Sequence, residues 1–230
     1  MSADLAGWTP RPRPDASVLD GRWCRLERLD PAGHGDSLYD ASVAPGADKR
    51  FRYLFEPPPA DRAAFDAWCV RAATGEDPLF YAVVDPATGR AEGRQALMRI
   101  TPEHGVIEIG SILWGPKIAR TRIATEALFL FARHAFDALG YRRFEWKCDA
   151  RNEPSRRAAE RLGFTFEGIF RQHMVVKGAN RDTAWYAMLD REWRDRKQAF
   201  ERWLSPDNFD AAGRQRASLS AFHDEIRKVA

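Results

Sequence analysis

The stretch "GPKIARTRIATEALFLF", residues 115–131, decides the fold. Arg120 and Arg122 stand directly before an apolar pattern at residues 124–139 that has the 3.6-residue period of a helix, and Gly140 ends it. A helix N-terminus carries unpaired N–H groups and partial positive charge, so arginines are unfavourable there unless an anion docks. The pattern therefore indicates either an anion-binding helix start or two solvated arginines.

The segments around this helix are typical of strands. Residues 105–114 precede the helix and residues 142–150 follow it, which predicts a βαβ unit with a parallel strand pair. Open α/β sheets bind ligands beyond the carboxyl ends of such strands. Further strands are predicted upstream, and their spacing by turn residues indicates an antiparallel meander: 22–30, 79–85, 93–100.

The remaining elements suggest three parts of the chain. Residues 1–20 are predicted to form an extended, proline-stiffened lead-in, and residues 21–190 a single domain. Residues 191–230 are charged and helical, and we expect this tail to pack on the domain or on a second subunit. Within the domain, Asp61 is a predicted N-cap for a helix at residues 61–74.

Composition excludes several classes of protein. The chain has 230 residues with 44% hydrophobic side chains, which is enough for a substantial core. Its 36 basic and 33 acidic residues are too balanced to indicate a nucleic-acid binder. The sequence contains neither a transmembrane stretch nor a secretory signal, and we expect no membrane association and a cytoplasmic location.

The cysteines and histidines predict no metal site. Three cysteines lie far apart, without the spacing of metal ligands, and are interpreted as half-buried free thiols in a reducing compartment. The five histidines show no metal-type spacing either. His134 is expected to be solvated on the outer face of the helix, and His173 to occupy a surface strand position.

Two motifs resemble those of the GNAT acetyltransferases. The acyl-CoA signature of that family, Q/R-x-x-G-x-G/A, aligns with "ARTRIA" at residues 119–124, where Ala124 fits while Ala119 and Arg122 depart from it. The later stretch "NEPSRRAAERLGFTFEG", residues 152–168, resembles the ribosomal-protein N-terminal acetyltransferase (RimJ/RimL-like) branch. Its hallmarks are N-x-x-S, L-G-F and E-G, and all of them occur here.

The resemblance implies a fold and a chemistry. The fold is of the α+β class, a mixed α/β arrangement with a mostly antiparallel twisted sheet that splays at a β-bulge and carries helices on both faces. The βαβ unit forms the core that binds acyl-CoA. The implied reaction transfers an acetyl group from acetyl-CoA to a primary amine, on a small molecule or a peptide N-terminus, by direct attack.

The resemblance also implies catalytic roles. Glu108 lies eleven residues before the first signature position and would be the general base. An exposed charge on a strand is the alternative interpretation. A tyrosine that many members use to protonate the leaving thiolate is replaced here by Ala159, so Ser155 of N-x-x-S is the implied acid. Ser155 also fits a residue that satisfies backbone groups at a helix start.

Cofactor contacts follow from the same resemblance. Backbone groups at the strand edge of Ile112, Leu113 and Trp114 would hold the pantetheine arm, and amides near Leu113 would stabilise the oxyanion. Trp114 is equally consistent with a core or rim aromatic. The pyrophosphate would contact a loop whose residues are Ala119, Arg120, Thr121, Arg122, Ile123 and Ala124.

Three questions stay open in the sequence. By resemblance, Asn152 and Ser155 would contact the pantetheine or the acceptor, whereas Asn152 alone resembles a turn residue. The altered glycine position and the missing tyrosine favour a rival hypothesis, a catalytically idle acyl-CoA-binding module. A homodimer is a further possibility, since the tail could also pack on a second subunit.

Overall fold

The computed structural model describes residues 5–229, except the side chain of Val229, so residues 1–4 of the predicted lead-in lie outside it. Eight strands form one sheet in the order β1-β2-β3-β4-β5-β6-β8-β7, and only the β5–β6 pair is parallel. The strands span Val18–Asp20 (β1), Arg25–Arg28 (β2), Leu79–Asp85 (β3), Arg90–Thr101 (β4), Val106–Trp114 (β5), Arg143–Asp149 (β6), Thr165–Val176 (β7) and Ala179–Leu189 (β8).

Seven α-helices surround the sheet in the described residues. They span Pro31–Val43 (α1), Ala47–Phe51 (α2), Arg62–Thr74 (α3), Arg122–Arg133 (α4), Glu153–Arg161 (α5), Asp190–Leu204 (α6) and Leu219–Val229 (α7). The predicted N-cap Asp61 is confirmed, because its side chain accepts a hydrogen bond from the Ala64 amide at 2.7 Å. None of the helices in residues 5–229 has the length and apolar character needed to cross a membrane.

Helices cover both faces of the sheet, as predicted. Strand β3 is buried along nearly its whole length, so its alternating side chains supply two cores. Tyr81 and Val83 pack with α4 in the main core, whereas Phe80 and Ala82 join the α1 and α3 side chains in a second core. The mixed α/β architecture and mostly antiparallel sheet confirm the predicted fold class.

The parallel pair ends in a splay. Strands β5 and β6 pair from Val106 opposite Arg143 to Ile109 opposite Trp146, and the pairing stops there. Beyond Ile109, β5 continues beside β4 alone, while β6 stays paired with β8 to its end at Asp149. The backbone edge of β5 that faces away from β4 is therefore open where the sequence predicted a ligand.

A β-bulge lies at the same point. Arg94 pairs with Leu113 and Ala96 with Gly110, so Ser111 and Ile112 together face one residue of β4. Ser111 has a φ of 49°, in the left-handed region that a non-glycine residue rarely adopts. The bulge bends β5 away from β6 directly before the predicted cofactor edge.

The C-terminal helices share the main core with the sheet. Trp193, Phe200 and Trp203 of α6 and Leu219 of α7 are all buried in it. Phe200 lies 5.4 Å from Phe129 of α4, measured between ring centroids. The boundaries at residues 20 and 190 stay a proposal, since both flanking segments pack on the domain.

Three local predictions were wrong. Helix α4 ends at Arg133 and continues as a π-helix, His134–Ala138, whose wider turn carries the Leu139 amide to the His134 carbonyl at 3.0 Å. His134 is buried rather than solvated, because the end of α4 is covered on all sides, as the burial of all residues from Ala124 to Ala132 shows. The three thiols are fully buried rather than half-buried. The lead-in also ends in a strand, β1, that pairs with β2.

Candidate functional site

A cleft opens where β5 leaves β6. It has a cavity volume of about 120 Å³ and lies between these strands, the start of α5, the segment after α2, and β8. Four of the predicted site residues line this cleft: Glu108, Ile112, Asn152 and Ser155. The splayed sheet thus brings both proposed catalytic side chains together with the bulge.

Glu108 is a buried carboxylate held between two cations. Its side chain is 3% exposed and lies 2.7 Å from the Arg99 guanidinium and 2.9 Å from Lys147 Nζ. Burial raises the pKa of Glu108 above its ordinary value, while the charges of Lys147 and Arg99 act in the opposite direction. The alternative of an exposed strand charge is therefore wrong.

Arg99 reaches Glu108 because the backbone of β4 is irregular. Arg99 has a φ of 48° at a second bulge, between the Met98 and Thr101 pairs of the β4–β5 ladder. The Asp77 carboxylate accepts hydrogen bonds from the amides of Arg99 and Ile100, at 2.9 and 3.0 Å. These bonds stabilise the unusual conformation that turns Arg99 toward the cleft.

A line of alternating charges continues from Glu108 across β6. Lys147 Nζ lies 2.6 Å from Glu145 and 3.8 Å from the centroid of the Trp185 ring. Arg143 donates in turn to Glu145 at 2.6 Å and to Glu167 at 2.8 Å. Each buried charge thus has a neighbour of opposite sign, which offsets the cost of removing it from water.

Ser155 has an arrangement suited to donating a proton. Its Oγ accepts a hydrogen bond from the Trp146 indole at 3.0 Å, so the hydroxyl proton is free to point elsewhere. The buried Cys148 sulfur lies near enough for the Ser155 hydroxyl to influence its pKa, although burial dominates and raises that pKa. The hydroxyl is therefore already placed to interact with sulfur.

Asn152 begins α5. Its Oδ1 accepts a hydrogen bond from the Ser155 amide at 3.3 Å, which makes it the N-cap of the helix. This contact agrees with the structural interpretation and does not exclude the functional one, because Asn152 also lines the cleft. The hydrogen bond from the Ser155 amide to the Asn152 side chain holds Ser155 at the cleft wall.

The signature loop lies outside the cleft lining and forms the start of α4. Thr121 is the N-cap, and its Oγ1 accepts from the Ile123 amide at 3.2 Å while its carbonyl accepts from Thr125 at 3.3 Å. Within the described residues, the amides of Arg122 and Ala124 remain for a ligand at this helix N-terminus. A diphosphate fits such a set of donors.

The two signature arginines differ in their surroundings. Arg120 is exposed and has a φ of 64°, in the left-handed region. The Arg122 guanidinium stacks on Trp23 at 3.7 Å from the ring centroid and lies 5.4 Å from that of Phe209. Stacking occupies the faces of a guanidinium and leaves its N–H edges free, so Arg122 can still bind an anion.

The predicted pantetheine edge is tied into the sheet. Leu113 is buried, and Trp114 is half-buried with its indole donating to Gln95 at 3.2 Å, as expected for a rim aromatic. The buried Arg94 donates to the Ser111 carbonyl at 2.9 Å and forms a very short contact with Glu56. Arg94 therefore links the bulge to the segment after α2.

Sequence reasoning missed several residues of this site. Arg99, Lys147 and Arg181 line the cleft but belong to no motif, and only the alternation of charge with apolar residues on β6 hinted at Lys147. Glu126 of α4 also had no predicted role. Its carboxylate accepts from the amides of Arg22 at 3.0 Å and Cys24 at 2.7 Å, and also from that of Trp23, so it anchors the β1–β2 turn.

Comparison with protein families identifies a match over more than half of the chain. The family described as "Acetyltransferase (GNAT) domain" matches residues 28–165. A curated relative, the "Putative ribosomal N-acetyltransferase YdaF" of Bacillus subtilis, is 36% identical over 75 residues. That match spans 33% of this chain and 41% of the relative, so it is local. It bears out the resemblance to the ribosomal-protein branch.

Solved structures match over nearly the whole chain. A GCN5-related N-acetyltransferase from Brucella melitensis is 59% identical with a TM-score of 0.94, covering 96% of this chain and 100% of that one. A probable GNAT-family acetyltransferase from Chromobacterium violaceum is 40% identical with a TM-score of 0.78, covering 84% of this chain and 96% of that one.

Proposed function

This chain belongs to the GNAT acetyltransferase family, and from that premise we propose that it transfers an acetyl group from acetyl-CoA to a primary amine. One observation carries the proposal. The parallel pairing of β5 and β6 ends at Ile109 and Trp146, and the cleft beyond it contains a buried carboxylate, Glu108, and a hydroxyl, Ser155. A base that accepts the amine proton and a donor near the leaving thiolate, both lining one cleft, suit amine acylation.

Two regions support binding of the acyl donor. The open edge of β5 beyond the bulge offers backbone donors and acceptors along Ile112, Leu113 and Trp114. The start of α4 offers its unpaired amides, with Arg120 and Arg122 beside them. Acetyl-CoA would supply a thioester carbonyl as electrophile. The chain's own part is to orient that carbonyl in the cleft, with amides near Leu113 facing the oxygen on which charge develops.

Glu108 would remove the proton of the amine, directly or through one water. A protonated amine has no lone pair with which to attack, so the base is needed before or during attack. Burial raises the pKa of Glu108 and strengthens it as a base, while the charges of Lys147 and Arg99 favour its anionic form. These opposing effects favour a carboxylate that can accept a proton briefly and release it.

Ser155 would donate a hydrogen bond to the departing thiolate. The Trp146 indole occupies one lone pair of Ser155 Oγ and so restricts the direction of its proton. A thiolate is a tolerable leaving group, so we assign this donor a smaller share of the rate enhancement than the base.

The acceptor is proposed to be a peptide or protein N-terminus, with a small amine as the alternative. The support is the local similarity to a relative named as a ribosomal N-acetyltransferase. The cytoplasmic location and the homodimer question stay predictions from the sequence.

An assay of acetyl transfer across a panel of amines tests the proposal. We expect Glu108→Gln to lower kcat/KM at pH 7 by about 10²-fold. In the wild type, kcat/KM should fall with decreasing pH through a pKa above the ordinary glutamate value of about 4.3. The Gln variant should lack this fall. Ser155→Ala should cost roughly tenfold, since CoA thiolate leaves without much help.

The rival function, an idle acyl-CoA-binding module, makes a different prediction for the same protein. Calorimetric titration should then show binding of acetyl-CoA by the wild type, with no amine of the panel acetylated. That combination would refute the enzymatic proposal and leave the binding proposal intact.

A further inference from the structure

The cleft contains a buried cation, Arg181, that no carboxylate of the described residues neutralises. Arg181 of β8 is 7% exposed and lines the cleft with Glu108 and Ser155. Its Nε is buried without a hydrogen-bond partner, and no carboxylate in the described residues lies within ion-pair distance of its guanidinium. A buried, unpaired charge costs several kcal/mol, so a protein retains one where a ligand supplies the counter-charge.

The other cations of the cleft have partners for their terminal nitrogens, although the Nε of the half-buried Arg50, like that of Arg181, is buried without one. Arg99 and Lys147 share Glu108, and Arg50 donates to the carbonyls of Pro45 and Ala44 at the end of α1, at 2.8 and 2.6 Å. The contrast makes Arg181 the cleft's available site for an anion.

Asp149, whose charge acts on Arg181, is also occupied. Asp149 accepts hydrogen bonds from the guanidinium of Arg151 at 2.8 and 3.0 Å and from its amide at 2.9 Å. Asp149 acts on the pKa of Arg181 only at longer range, and burial still lowers that pKa. Among residues 5–229, therefore, no carboxylate forms an ion pair with Arg181.

The surroundings of Arg181 orient it for a ligand. The Phe55 ring lies 5.2 Å from the Arg181 guanidinium carbon, so an aromatic side chain packs near the guanidinium. Arg181 also lines an adjoining cavity of about 150 Å³, where three further cations and one carboxylate occur: Arg52, Arg151, Lys177 and Asp149. The cleft thus continues into a basic surface.

We propose that Arg181 binds a carboxylate of the acceptor, so that this enzyme acetylates amines that carry an acidic group close by. The inference rests on the proposed acetyltransferase function and names its acceptor class. A free amino acid and a peptide with an acidic residue next to its N-terminal residue share this chemistry. In either case the N–H groups of the Arg181 guanidinium would bind the carboxylate, and the amine would face Glu108.

Matched acceptor pairs test the proposal. Serine and serinamide form one pair, and a seryl-aspartyl peptide amide and its seryl-asparaginyl counterpart form the other. We expect the acid to exceed its amide at least about tenfold in kcat/KM, because a charge-assisted hydrogen bond contributes about 1.5–3 kcal/mol. A preference for serine over serinamide identifies free amino acids as the acceptor class. A preference for the seryl-aspartyl peptide identifies peptides with an acidic residue next to the N-terminal one.

Variants identify the residue responsible. Arg181→Met should abolish the preference by raising KM for the acid with little change in kcat, and Arg181→Lys should restore part of it. Arg157→Met, on the exposed face of α5, is the matched control and should keep the preference. Because Met removes an unpaired buried charge, Arg181→Met should melt no lower than the wild type.

A second measurement does not depend on turnover. At saturation, the acid of each acceptor pair should raise the melting temperature of the wild type by a different amount from its amide. In Arg181→Met, acid and amide should have the same effect. Equal rates and equal stabilisation by acid and amide in both pairs would overturn the proposal, as would a preference that survives Arg181→Met. If no amine is acetylated while the acid still stabilises the wild type alone, the enzymatic function fails and the carboxylate site stands.

Discussion

Several residues in and near the candidate site have strained backbone conformations. Ser111, Arg99 and Arg120 all adopt positive φ without being glycine. The first two lie at bulges beside the cleft, and Arg120 is the second residue of the signature loop. Backbone strain of this kind costs about 1–3 kcal/mol per residue and persists only where surrounding contacts hold it.

Substitutions of Arg120 can distinguish the effect of its backbone conformation on stability from the effect of its charge on CoA binding. Arg120→Gly should raise the free energy of unfolding by up to about 1 kcal/mol, because glycine tolerates φ of 64° without a Cβ clash. Arg120→Ala should bring no such gain. Both should weaken CoA binding about tenfold, through loss of a charge-assisted contact with the diphosphate.

Thermal denaturation without ligand and calorimetric titration with CoA measure the two effects. Arg122→Ala, which also loses its stacking on Trp23, is the comparison for the second arginine. Unchanged CoA affinity in all three variants would remove both arginines from the proposed site.

Glu126 is a single residue on which local stability depends, although we assign it no ligand contact. Glu126→Ala would leave three successive backbone amides without their acceptor. We expect a loss of about 3 kcal/mol and a melting temperature lower by roughly 6–12 °C. Differential scanning calorimetry should show this, with the exposed Glu201→Ala as control. A loss no larger than that of the control would contradict the anchoring role.

At the scale of elements, the βαβ unit was predictable and its chemistry was only partly so. The change from strand to helix periodicity near residue 124 identifies β5, α4 and β6 because each pattern is local. The ion pairs of Glu108 depend on a bulge that turns Arg99 and on the lateral register of β6, which brings up Lys147. Neither is encoded in spacing along the chain.

Helix α4 shows the same limit. Its apolar stripe extends past Arg133, and the sequence gives no sign that the backbone widens into a π-helix there. The widening depends on how residues 134–138 pack against the sheet. Arg181 escaped sequence reasoning for a related reason, since its importance lies in the absence of a partner, which only three-dimensional neighbours reveal.

Helix α7 contains a histidine that makes its packing sensitive to acid. His223 is buried beside the Phe200 ring, and neither ring nitrogen has a partner in the described residues. Burial, together with the charges of Arg196, Arg227 and Arg161, lowers its pKa to about 4, against a weaker opposing effect of Asp224. The folded protein therefore binds this proton less readily than the unfolded chain does.

The sign of the pH dependence follows. Between pH 6.5 and about 4 the unfolded state binds more protons at His223, so the free energy of unfolding falls as the pH falls. We expect about 2 kcal/mol of this loss between pH 7 and pH 5. Urea unfolding at both pH values should show it in the wild type and not in His223→Phe.

The exposed His104 supplies the control for that experiment. His104→Phe should keep the pH dependence of the wild type, because its side chain is solvated in the turn after β4. If His223→Phe loses as much stability on acidification as the wild type, another group is responsible.

At the scale of the whole molecule, the C-terminal helices complete the core. Four large side chains of α6 are buried in it: Trp193, Phe200, Trp203 and Leu204. At about 1.5–3 kcal/mol each, their burial is comparable with the total stability of a typical domain, about 5–15 kcal/mol. A chain that ends at residue 189 should therefore lack a cooperative unfolding transition.

Circular dichroism and urea titration of the shortened chain check this expectation. Adding residues 190–230 as a separate peptide should restore the transition, which separates a missing core from poor expression. A shortened chain that unfolds cooperatively without the peptide would show that residues 21–189 are self-sufficient.

The contact between the two ends of the chain has a consequence for biosynthesis. The Trp23 indole donates to the Leu204 carbonyl at 3.0 Å, and Arg122 lies against both Trp23 and Phe209. Translation delivers Trp23 and Arg122 well before Leu204 and Phe209. The packing around Arg122 is therefore complete only after residues 204–209 have been synthesised, and we expect the proposed diphosphate site to form late in co-translational folding.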